Sequence, residues 1–275
     1  MIVAIVVTFV VKAMPYELLL TQRDGSVEYV TLNRPDVRNA FNEQLIDELR
    51  RWADGMAADT SVRVAVIAGA GKVFCAGADL AWMAKMAAAT RDENVRDATA
   101  TAAMFGALDR LPIPLIGRVH GAALGGGAGL AAVCDVVITE AQTVFGFTEV
   151  KVGIVPSMIS PYALAKIGPS AARELFLTGM RFGAARAKEI GLVHAVAAAD
   201  ALDTTVDRYV QEFLSAGPEA IATAKDLIRQ VTGRPAQDVI ALTAETIAAR
   251  RASAEGQEGI KAFFDKRKAT WNAAR

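Results

Sequence analysis

Apolar and polar positions along this chain switch between two periods. Tyr16–Leu20 and Val27–Leu32 are short β-rich runs, and Arg23-Asp24-Gly25-Ser26 between them reads as a hairpin turn. Asn33-Arg34-Pro35-Asp36 breaks the second run. Leu45, Leu49, Trp52, Ala53 and Met56 then recur at threes and fours behind Asn42, a good N-cap, which predicts a helix with one buried face. Val62–Ala68 is wholly apolar, the pattern of a strand buried on both faces. Residues 80–110 are alanine-rich with scattered charges and read as helix. Pro112 and Pro114 restart the chain in an extended conformation, and strands are predicted at Leu115–Val119, Val136–Thr139 and Thr143–Phe147. Alternating strands and helices predict an α/β fold with parallel strands joined by right-handed crossovers. From Pro169 onward the chain reads as essentially all helix. Ile221, Ala224, Leu227, Ile228 and Val231 make one amphipathic face there. The last segment, Gly256–Trp271, is charged yet carries Phe263, Phe264 and Trp271. Those aromatics either dock on another surface, such as a neighbouring subunit, or fold back on their own core.

Two small-residue loops interrupt this pattern. Val119–Asp135 holds five glycines (Gly121, Gly125, Gly126, Gly127, Gly129) between an apolar strand and an Ala/Leu/Val helix. Glycines there permit a sharp turn and close approach, and the helix start leaves N–H groups facing outward, where the dipole favours negative charge. The stretch is either an anion or oxyanion site or a tightly packed turn with no chemistry. Val73–Leu80 is a second such loop. One amide from each, at Ala78 and Gly126, could meet at one point as an oxyanion hole, in which losing a single donor typically costs about 3 kcal/mol of barrier. Glu149, in the apolar stretch F-G-F-T-E-V, is then either a desolvated proton carrier with a raised pKa or a solvent-facing glutamate at a strand end.

Composition narrows the classes. With 275 residues, 53% hydrophobic and 22% charged, the chain can bury a full core as one large domain or a domain with an appendage. Thirty basic residues balance thirty acidic ones, so no global charge argues for nucleic acid or an anionic membrane. Two cysteines, Cys75 and Cys134, give neither a disulfide framework nor metal spacing and read as buried thiols, and two histidines are too few for a His-rich metal site. Met1–Val11 is apolar but shorter than the ~20 residues a spanning helix needs. Residues 1–13 are therefore expected to be either a non-native leader before a start at Met14 or a hydrophobic first strand. No other run is apolar enough to span a bilayer, and the protein reads as cytoplasmic.

Taken together, Phe74–Leu80, His120–Asp135 and Phe145–Pro156, with Arg38–Asn42 before them and Glu255–Gly259 and Phe263–Arg267 after them, resemble the enoyl-CoA hydratase/isomerase (crotonase) family over Tyr16 to Trp271. The resemblance implies a spiral of ββα units over residues 14–200 and a helical trimerisation region over 201–275. It implies a homotrimer or a hexamer of two trimers. The implied substrate is an acyl-CoA thioester, with coenzyme A part of the substrate and no separate cofactor or metal. The thioester oxygen would lie between the Ala78 and Gly126 amides, with Glu149 as the proton carrier. Coenzyme A would lie near Arg38, Ala40, Ala76, Asp79 and Leu80, with Phe263 and Lys266 contributed from an adjacent subunit. Position 129, where hydratases of the family usually carry a first glutamate, is Gly129 here. That departure leaves hydration or isomerisation by Glu149 alone, or a non-catalytic CoA-ester-binding homologue; Ser157 and His120 are weak candidates for a helper. F-C-A-G-A-D-L-A-W-M, Gly129 and E-V-K-V-G-I-V-P-S-M-I-S-P are similar to the bacterial methylglutaconyl-CoA and isohexenylglutaconyl-CoA hydratase branch of leucine and terpene breakdown. A carboxylated substrate of that kind would want a cation, for which Lys151 and Arg118 are candidates.

Overall fold

The computed structural model describes residues 16–273; the expected leader at 1–13 lies outside them. Strand β1 (Leu19–Asp24) turns back on β2 (Val27–Leu32) as an antiparallel hairpin, around the predicted turn. Asn42 caps α1 (Glu43–Ala58), accepting from the Leu45 N–H at 2.9 Å, and the predicted face Leu45, Leu49, Trp52 and Ala53 is buried. Strand β3 (Val64–Gly69) then runs parallel to β2. Its side chains alternate as a strand's must: Ala65 and Ile67 join the core with Leu49 and Trp52 of α1, while Val64 and Val66 pack with Leu202, Val206 and Val210. A strand clothed on both faces needs no polar face, which is why it reads as a continuous apolar run.

The 80–110 stretch is two helices, not one. Helix α2 (Leu80–Ala88) stops at Ala89, and Thr90 opens α3 (Arg91–Asp109) with a reciprocal capping box to Glu93. Strand β4 (Leu115–Val119) follows as predicted. The glycine segment holds a short strand unseen in the sequence, β5 (Ala122–Leu124), before α4 (Gly126–Val133). Next come β6 (Val136–Glu140), β7 (Val144–Gly146) and α5 (Ser160–Thr178), which is kinked at Gly168-Pro169. The region after Pro169 is not all helix. It includes β8 (Arg181–Gly183) and β9 (Ala195–Ala197) around α6 (Ala184–Glu189). At three residues each, β8 and β9 give period-2 patterning little to register; β7, equally short, was legible within the wider run Thr143–Phe147.

One sheet runs β1-β2-β3-β4-β6-β9, parallel beyond the first pair; the second runs β5-β7-β8. Four helices close the described chain: α7 (Leu202–Ser215), α8 (Pro218–Val231), α9 (Ile240–Ala252) and α10 (Ala254–Phe264). The apolar face predicted on α8 is only partly covered: Ile221, Leu227 and Val231 are half-buried, none is fully buried, and Ile228 is 64% exposed. The terminal aromatics divide. Trp271 turns back on its own chain, donating from Nε1 to Ser215 O at 3.1 Å, whereas Phe263 and Phe264 stay exposed. Among the described residues, no helix is long and apolar enough to cross a membrane.

Candidate active site

The two small-residue loops lie directly against each other. Cys75 bridges Ala123 in parallel: the Cys75 N–H donates to Ala122 O at 3.1 Å, and the Leu124 N–H donates to Cys75 O at 3.0 Å. Only glycine fits two positions of this contact. A β-carbon on Gly127 would fall 2.3 Å from Cys75 O. One on Gly77, which has φ 97°, would fall 2.8 Å from Leu124 O. On its other edge the first loop pairs with Phe41, whose N–H donates to Gly77 O at 2.7 Å and whose O accepts from the Asp79 N–H at 2.9 Å. That bridge uses the peptide groups on either side of Ala78 and leaves the Ala78 N–H out. Gly126 is the first residue of α4, where no intrahelical acceptor exists, and its cap residue Gly125 has no side chain to serve as one. Among the described residues, neither N–H meets a protein acceptor.

Asn39 fastens the first loop from below. Fully buried, it donates from Nδ2 to Ala70 O at 2.8 Å and Val73 O at 2.9 Å and accepts from the Arg34 N–H. Nothing in the local sequence marked it, apart from its place in the Arg38–Asn42 stretch.

Ala78, Gly126 and Glu149 line one cavity of about 70 Å³, together with Phe41, Trp82, Phe105 and Ile159. Roughly 10–15 Å³ on the same measure accommodates one water, so the space can take a water beside a short chain. Glu149 opens a 3₁₀ turn (Glu149–Val152) that follows β7. Its Oε1 lies 3.4 Å from where a β-carbon on Gly125 would stand, so the carboxyl rests over the entrance to α4. Oε2 is buried with no hydrogen-bond partner. Burial raises the Glu149 pKa, offset in part by its own backbone N–H. Of the two readings the sequence left open for this side chain, the solvent-facing one is not what the structure shows. Both thiols are buried, and burial pushes each up to about 12.

The other sequence-derived positions scatter. The Ala76 N–H donates to Arg38 O at 3.0 Å, which joins Arg38, Ala40 and Ala76 at the edge of the first loop; Arg38 is exposed and Ala40 buried. Asp79 is committed to structure, capping α2 through the Ala81 and Trp82 N–H groups and pairing with Arg34 at 2.9 Å. Leu80 is 82% exposed. Phe263 and Lys266 are on α10 and the turn after it, and do not line the cavity of their own chain. His120 donates from Nε2 to Gly71 O at 3.0 Å, outside the cavity, whereas Ser157 lines it. Neither candidate cation lines the cavity: Arg118 pairs with Asp203, and Lys151 is exposed. Trp82, Met158 and Ile159 line it from inside the quoted motifs without having been assigned a site role, and Phe105 lines it from α3 outside any motif. Apolar residues at helical spacing carry no mark that separates a pocket wall from a core.

The family model for enoyl-CoA hydratase/isomerase matches residues 22–274. The chain belongs to that family. It is 33% identical to the 2,3-dehydroadipyl-CoA hydratase of Escherichia coli, over 90% of this chain and 96% of that one. An enoyl-CoA hydratase from Shewanella pealeana superposes with a TM-score of 0.90 at 36% identity, covering 94% of this chain and 97% of that one. Pseudomonas aeruginosa AtuE does so with a TM-score of 0.90 at 36% identity, covering 93% and 100%. The fold is the crotonase fold. Gly129 is buried within α4. A β-carbon there would fall 2.1 Å from Ile159 Cγ2 and 2.6 Å from Ile159 Cβ. An isoleucine occupies the space that any side chain at 129 would need, and Glu149 is the one ionisable group among the lining residues.

Proposed function

We propose that the protein hydrates a 2-enoyl-CoA thioester, with the Ala78 and Gly126 amides holding the thioester oxygen and Glu149 moving the protons. The observation that carries this reading is the gathering of two acceptor-free N–H groups and a desolvated carboxyl around one small cavity. Two fixed donors favour the oxygen more as it gains charge, which stabilises the enolate over the thioester. Glu149 as carboxylate takes a proton from water while the oxygen of that water bonds to C3. The electron pair of the double bond moves onto the thioester oxygen. The same carboxyl then returns the proton to C2, so that one water is added in total. A pKa raised by burial brings the carboxyl nearer the working pH, where a group serves both directions best.

A second reading has its own observation. Ile159 packed on Gly129 leaves Glu149 without a second carboxylate to share a water. A lone carboxyl in an apolar wall can instead take a proton from C2 of a 3-enoyl-CoA and deliver it to C4, which is isomerisation. The acyl group we propose is uncharged, because no cation lines the cavity; a 3-methylglutaconyl group would leave its carboxylate unpaired there. Exposed Phe263 (79%) and Phe264 (76%) support a trimeric or hexameric assembly, to be checked by light scattering after size exclusion.

The test follows absorbance of the conjugated thioester. Its loss from crotonyl-CoA or 3-methylglutaconyl-CoA means hydration, and its appearance from a 3-enoyl-CoA means isomerisation. Binding of these esters with neither change would leave a non-catalytic CoA-ester-binding protein.

A further inference from the structure

Helix α2 lies over the cavity with its half-buried Trp82 packed against the core and several polar contacts around it. None of its residues is buried, and Leu80 at its start is 82% exposed. Its attachments are the Asp79 cap, an ion pair from Lys85 to Glu43, and the Asn94 amide donating to Met86 O at 3.0 Å. One further attachment comes from a residue that lines the cavity. Trp82 donates from Nε1 to Asp97 Oδ1 at 3.1 Å. Asp97 is on α3, one turn before Thr101, which also lines the cavity and donates from Oγ1 to Asp97 O at 3.1 Å. The Asp97 carboxyl is half-buried, so the indole meets an acceptor partly shielded from water.

We propose that the Trp82–Asp97 hydrogen bond is a latch that sets how long an acyl chain the cavity admits, with Trp82 as the specificity-determining wall and Asp97 as its positioning residue. This rests on the acyl-CoA reading above. A helix whose side chains are at most half-buried has little else to oppose its displacement once the indole is free. Latched, the indole closes the cavity at about 70 Å³ and favours short chains. Released, α2 swings out and longer chains enter.

The experiment compares the wild type with Asp97→Leu, Trp82→Phe and Asp97→Asn, by two readouts. The first is amide hydrogen exchange over residues 80–88. The second is the ratio of kcat/KM for trans-2-octenoyl-CoA to that for crotonyl-CoA. Asp97→Leu removes the acceptor and Trp82→Phe the donor. Both should quicken exchange in α2 alone and raise the ratio about ten-fold, the scale of discrimination a small change in an apolar pocket supplies. The rise should come through KM for the longer ester. Asp97→Asn keeps an acceptor oxygen and should keep the wild-type ratio. Unchanged exchange in both Leu and Phe variants overturns the latch. Quicker exchange with an unchanged ratio overturns its role in specificity. A wild type that turns over neither ester overturns the acyl-CoA reading and the specificity claim with it, while exchange still decides whether the hydrogen bond holds α2.

Discussion

Helices α2 and α4 both begin at a small-residue loop on the same cavity, yet their first turns are treated oppositely. At α2 the Asp79 carboxylate takes the Ala81 and Trp82 N–H groups and is itself neutralised by Arg34. At α4 the cap is Gly125, which has no side chain to offer. The rest of each helix differs in the same sense. No residue of α2 is buried, whereas seven residues of α4 are. A surface helix must satisfy its own end, because little packing holds it. A helix locked in the core can leave its first donors open, since its position does not depend on them. Open donors on a rigid element are what an oxyanion needs, and the two requirements coincide at Gly126.

The contrast can be broken from its chemical side first. Glu149→Gln, altering the carboxyl that rests over the open end of α4, should lower turnover by about 10²–10⁴ while retaining binding of the CoA ester. Stopped assays of rate beside calorimetric binding would check this, and a near-normal rate would remove Glu149 from the mechanism. Gly127→Ala tests the rigidity of α4. Its methyl would meet the Cys75 carbonyl, with no side chain able to yield, at a cost of about 1–3 kcal/mol or more. Denaturant midpoints should fall and activity with them, as the loops are pushed apart.

Asp79→Ala tests the capped end. Loss of the cap should cost about 1–2 kcal/mol, read as a lower Tm. A smaller, signed effect follows from the pKa of Glu149. Its folded-state pKa is raised, so the native state holds the proton more tightly than the unfolded chain does. Stability therefore falls as pH rises from the ordinary carboxyl range through the raised value. Glu149→Gln should escape that fall and be more stable than the wild type above the window, measured by urea melts across pH. Least of all, Leu80→Ala on the exposed start of α2 should change stability by no more than about 0.5 kcal/mol.

Much of this was legible beforehand, and for identifiable reasons. The Asn42 cap, the α1 face and the apolar run at β3 are local patterns with one physical solution each, and each forms as read. The two small-residue loops were legible because, at Gly77 and Gly127, only glycine tolerates a carbonyl where its side chain would be. What escaped was either too short, as β5, β8 and β9 were, or had the wrong scale. The amphipathic face of α8 was real as a pattern, yet among the described residues it is only partly covered.

The sequence by itself determined the succession of strands and helices, the two small-residue turns and the acidic side chain at 149, because each depends on neighbours within a few residues. Only the tertiary structure decided that those turns touch, that the carboxyl at 149 loses its water, and that Ile159 fills the space over Gly129. These are contacts between segments tens of residues apart, and whether a polar group there meets solvent, a partner or nothing depends on how the sheets and helices close around it.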